Sequence, residues 1–129
     1  MHALVRIAAG AFLIAHGLVH LLYVTPSPKD PNFPFTLKES WLVPQDSRRP
    51  TGLVLMVAVV VAFALLGLAI WGFPGLSDIW PALAIVAAAL SLTLLFAFWN
   101  ARLVAGIGID AALIALALAQ PGWLDKIVG

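Results

Sequence analysis

Gly52-Leu-Val-Leu-Met-Val-Ala-Val-Val-Val-Ala-Phe-Ala-Leu-Leu-Gly-Leu-Ala-Ile-Trp71 is twenty residues without one ionisable side chain. At 1.5 Å rise per residue, a helix of that length spans about 30 Å, the thickness of a bilayer's hydrocarbon core. It is apolar on every side, which predicts broad contact with lipid rather than a stripe facing a soluble core. The rest of the chain agrees. Of its 129 residues, 63% are hydrophobic and 10% charged, and the mean hydropathy is +1.05. A soluble domain is nearer half apolar and a quarter charged.

Three more runs are long enough to cross: about 3–24, 80–99 and 103–120, beside 52–71 itself. The expected fold is therefore all-α, an integral membrane four-helix transmembrane bundle forming one domain over 1–129. The first run carries a single early arginine, Arg6, and two histidines, with no clean small-x-small site before Thr25. It reads as a retained transmembrane helix rather than a cleaved signal. A net charge of +1 with no basic run excludes nucleic acid as a partner. With no cysteine, thiolate chemistry, disulfides and Fe–S clusters are excluded too.

The connection 25–50 is the only long one and holds six of the nine prolines. Those at 26, 28, 31 and 34 forbid regular structure there, whereas Thr36-Leu-Lys-Glu39 reads as a capping box opening a short helix through Trp41. Phe33, Phe35, Trp41 and Leu42 predict a loop folded over the bundle end or lying in the interface. Ser77 is the expected N-cap of the third helix, with Pro81 in its first turn. Trp71, Trp80, Trp99 and Trp123 lie at span ends as interface anchors, and Arg48-Arg49 is expected at the headgroups. Loops one and three carry five lysines and arginines against two on the other side. That count favours a multi-pass cell-membrane protein with loop 25–50 in the cytoplasm.

The informative residues are the polar ones inside the spans. His16 and His20 are four apart, so both rings fall on one helix face, about 40° from each other. Tyr23 extends that stripe. His16 and Asp110 each lie eight residues from the same membrane side, roughly 12 Å deep, which predicts that they meet. Gly106, one turn from Asp110, would leave room for a neighbour. Ser91 shares that half of the bilayer but has no evident base on its own face, so it is expected to bond back to its helix.

Three chemistries fit His16, His20, Asp110 and Tyr23. The first is a buried hydrogen bond fixing helix register. The second is a two-histidine, one-carboxylate site (His16, His20, Asp110) for zinc, iron or copper, or one histidine as an axial haem ligand. The third is a proton relay or quinone pocket. Arg6-Ile-Ala-Ala-Gly10-Ala-Phe-Leu-Ile-Ala-His16-Gly17 resembles the first helix of the DoxX-like family of small four-helix membrane proteins. The resemblance implies association with membrane redox complexes, including quinone-linked sulfur oxidation. The expected function is a non-catalytic accessory or structural subunit of a larger membrane complex; the alternative is a cofactor-binding membrane redox protein. Its expected partners are the lipid bilayer and other membrane subunits or further copies, met through Ala84, Ala87, Ala88 and the alanine-rich fourth helix.

Overall fold

A computed structural model describes residues 2–23, 40, 42–98 and 104–126. The protein is all-α, with four α-helices and no strand among the described residues. Helix α1 spans His2–Val19, α2 Gln45–Ile70, α3 Trp80–Ala97 and α4 Val104–Ala119. Each helix packs on its neighbour in sequence, whereas α1 and α4 scarcely touch along their length. The core lies between α2 and its two neighbours, around Val59, Phe63, Leu66, Ala84, Ala87 and Leu94. Gln45–Ile70, and α3 with the short turn before it (Ser77–Ala97), are long and apolar enough to cross a membrane. Ala3–Val19 and Val104–Ala119 are apolar but shorter.

The expected boundaries shift for physical reasons. Helix α2 begins at Gln45, seven residues before the apolar run, because its polar first turn is held by a side-chain clamp. Ser40 Oγ donates to the Ala97 carbonyl at the end of α3 and accepts from the Val43 backbone N–H at 2.9 Å. Arg48 Nε donates to the Val43 carbonyl and Arg48 Nη2 to the Ser40 carbonyl, both at 3.0 Å. Arg48, expected at the headgroups, thus ties the end of the long loop to the bundle. Capping box 36–39 and the short helix through Trp41 lie outside the described residues, as do Trp99, Asn100 and Arg102.

Helix α2 ends in a Schellman motif. The Phe73 N–H reaches the Leu68 carbonyl and the Gly72 N–H the Ala69 carbonyl, both at 3.0 Å. Gly72 sits at φ 90°, the left-handed conformation that the motif demands and glycine alone adopts without strain. Ser77 does not cap α3. It opens a 3-10 turn over Ser77–Ile79 without a side-chain cap, and Ile79 is the N-cap residue of α3. Pro81 is in the first turn of α3, as expected.

Glycines decide how closely α1 and α2 approach. A Cβ at Gly17 would stand 2.5 Å from Phe63 Cβ, and one at Gly67 would stand 2.9 Å from the Gly10 carbonyl oxygen. The Trp71 indole covers Gly10 and donates from Nε1 to the Ile7 carbonyl at 3.1 Å. Trp71 is therefore a tie between helices as well as an aromatic at a helix end. Ala84, Ala87 and Ala88, expected on a partner-facing surface, are wholly buried inside the bundle.

Candidate functional site

The register of α1 sets one polar stripe against all three other helices. His16 Nε2–H donates to Asp110 Oδ1 of α4 at 3.0 Å. Asp110 is fully buried, and its Oδ2 has no hydrogen-bond partner among the described residues. His20, one turn on, is also buried and reaches a different helix. Its Nδ1–H is shared between the carbonyls of His16 and Gly17, at 3.0 and 3.1 Å. With the proton on Nδ1, Nε2 accepts from the Ser91 hydroxyl of α3 at 2.9 Å.

This back-bonding also explains where α1 stops. The His20 ring competes for carbonyls that serve the helix ladder, and the chain tightens into a 3-10 turn over His20–Tyr23. Phe63 of α2 sits against both imidazoles. Its ring meets His16 edge-to-face at 4.9 Å between centroids and stacks on His20 at 6.3 Å. Phe12 stacks on His16 at 6.3 Å. Four helices thus converge on two rings.

His16 and Asp110 meet, as their matched depth predicts. The three-residue metal set does not form: His20 spends both ring nitrogens on its own backbone and on Ser91, away from Asp110. Among the described residues, no group of three His, Cys, Asp or Glu side chains is placed to hold a metal ion. Tyr23 follows in the 3-10 turn, and its side chain lies outside the described residues. Gly106 behaves as expected, since a Cβ there would stand 3.2 Å from Leu95 and 4.0 Å from His16.

Ser91 is the residue that sequence reasoning misplaced. It does not bond back to its helix; Thr93 does, donating to the Ala89 carbonyl at 2.8 Å. Its depth was the available signal, but an all-round apolar α3 hides which face turns inward. Ser91→Ala removes the donor to a buried imidazole nitrogen and should cost about 1 kcal/mol. Detergent-micelle unfolding by SDS titration would measure it, with Thr93→Ala expected to be near neutral.

Beside the cluster, an apolar cleft of about 410 Å³ separates α1 from α4. Val5, Ala9, Phe12 and Leu13 line one wall, and Ile109, Ala112, Leu113 and Leu116 the other. Ile70, Trp80, Trp123 and Leu124 complete it. Such a volume lies within the roughly 300–1,000 Å³ of small-molecule pockets. No protein-family model, no curated protein and no solved structure matches this chain.

Proposed function

We propose that the chain is a small multi-pass membrane protein serving as a non-catalytic accessory or structural subunit of a larger membrane complex. The observation that carries this reading is the inverted distribution of polarity. His16, His20 and Asp110 turn inward onto partners from other helices. Large apolar side chains turn outward instead: Leu4 is 70% exposed, Val54 69% and Leu118 71%. In water, apolar exposure on every helix would drive association; in lipid it is the ordinary surface. In this reading α1 and α4 complete the bilayer crossing together with their flanking segments, and loop 25–50 faces the cytoplasm. The redox character of the complex rests on the DoxX-like resemblance of α1.

The alternative, a cofactor-binding membrane redox protein, draws on two other observations: an apolar cleft of ligand size between α1 and α4, and a buried Asp110 whose Oδ2 has no partner among the described residues. Optical spectra and elemental analysis of detergent-purified wild type, beside His16→Ala and His20→Ala, separate the two readings. Tryptophan absorbance alone, together with co-migration in an assembly far larger than the single chain on native gels, is the expected result. A stoichiometric metal or pigment lost in either variant would overturn the subunit reading.

A further inference from the structure

We infer that His16 and Asp110 form a binding site for one proton, and that its occupancy holds α4 against α1. Charge is the reason. A neutral imidazole donating to a carboxylate leaves the pair with one net negative charge, and Asp110 is fully buried. Among the described residues, nothing close by balances it. Helices α3 and α4 hold no ionisable residue besides Asp110 itself. The last charge of α2, Arg49, lies fourteen residues before the Phe63 that touches His16, about 21 Å along the helix. Arg6 lies ten residues before His16 on α1, about 15 Å away along its axis. His20 carries no charge while its Nε2 accepts from Ser91. A buried charge without compensation is strongly disfavoured.

One added proton makes the pair neutral and needs no room. Asp110 Oδ2 is enclosed, beyond the reach of a molecule, but a proton can arrive through the hydrogen bond. His16 is the member with surface: 9% of its side chain is exposed, against none of Asp110. A solvent proton taken up by Nδ1, the nitrogen not committed to Asp110, turns the ring into an imidazolium. Its Nε2–H can then pass to Oδ1. The N–H bond breaks as the O–H bond forms, and the pair is neutral before and after the shift. In both forms Nδ1 carries a proton; in the unoccupied pair it is bare.

Loss of that proton restores the buried charge in the seam between α1 and α4. These two helices scarcely touch along their length, and an apolar cleft separates Val5, Ala9 and Leu13 from Ile109, Ala112 and Leu116. Moving α4 away from α1 is therefore the least costly way to let water reach the carboxylate, since α2 and α3 are held by packing on both neighbours. The sign follows: the seam closes while the proton is bound and opens as rising pH removes it. The site rests on the burial of Asp110 and stands whether or not the chain is a subunit.

The full chain in detergent, isotope-labelled at its histidine ring nitrogens, would be titrated from about pH 5 to about pH 10 and read by two-bond proton–nitrogen NMR. Near neutral pH, His16 should carry a proton on Nδ1 and lose it as the pH rises. Asp110→Asn keeps the shape and removes the charge, so its His16 step should need at least tenfold more protons. His20, protonated on Nδ1 alone, identifies an intact bundle in each sample. Spin labels on Leu18→Cys and Val104→Cys, both exposed, follow the seam by double electron–electron resonance. A longer distance should appear as the proton leaves, whereas labels on Val61→Cys and Val86→Cys, across α2 and α3, should keep theirs. A bare wild-type Nδ1 near neutral pH, the same His16 step in both proteins, or a seam distance that ignores the proton would each overturn the proposal.

Discussion

His16→Leu will leave the Asp110 carboxyl group buried with no partner among the described residues, and the bundle will lose about 3–5 kcal/mol. The loss comes from stranding the partner rather than from a large intrinsic worth of the hydrogen bond. Net contributions of such bonds are small even in membranes, about 0.6 kcal/mol on average. Asp110→Leu strands an imidazole N–H instead and should cost less, about 1–3 kcal/mol. The double variant His16→Leu/Asp110→Leu removes both polar groups and should recover most of the loss. SDS-titrated unfolding of the four proteins gives the cycle directly. Additive single losses with no recovery would mean that the two side chains do not depend on each other.

Gly17→Ala is expected to be nearly as damaging, costing about 1–3 kcal/mol for a single methyl group. The added Cβ would stand 2.5 Å from Phe63 Cβ and 3.3 Å from Phe63 Cγ. Those atoms lie next to the α2 backbone and cannot swing aside, so the helices themselves must separate. Small residues at such crossings are what permits close backbone approach when helices pack in lipid. Separation would also withdraw Phe63 from its contacts with both imidazoles and disturb the Gly17 carbonyl that accepts from His20. Gly108→Ala provides the contrast. Its Cβ meets nothing within 4 Å, so the exchange should be neutral or stabilise α4 by up to about 1 kcal/mol.

Much of this was legible in the chain because it depends on length and depth alone. Apolar runs locate all four helices, and counting residues from a shared side brings His16 to Asp110. What depends on direction around a helix was not legible. Helix α3 has large apolar side chains on every face, so nothing in its sequence says that Ser91 turns inward or that Ala84, Ala87 and Ala88 fill the core. His20 stands apart from the His16–Asp110 pair for a local reason. Two histidines at i and i+4 share a face, yet the second can satisfy itself on carbonyls three and four residues back. His20 does so, which turns its other nitrogen toward α3 rather than α4. Ser77 shows the same limit at a helix end, where a 3-10 turn takes the place of the expected cap.

The central claim, that these helices stand in a bilayer with the polar cluster enclosed among them, can be tested without altering the native background, because the chain has no cysteine. Single cysteines at Val61 and Val86, both about half exposed on α2 and α3, would be probed in intact membranes with an impermeant maleimide. Asp78→Cys, exposed in the turn between those helices, is the control. Labelling at Asp78 from one side, with Val61 and Val86 silent until detergent is added, is the predicted result. Rapid labelling of Val61 and Val86 in sealed membranes would contradict it, since it would place water where the bundle requires lipid.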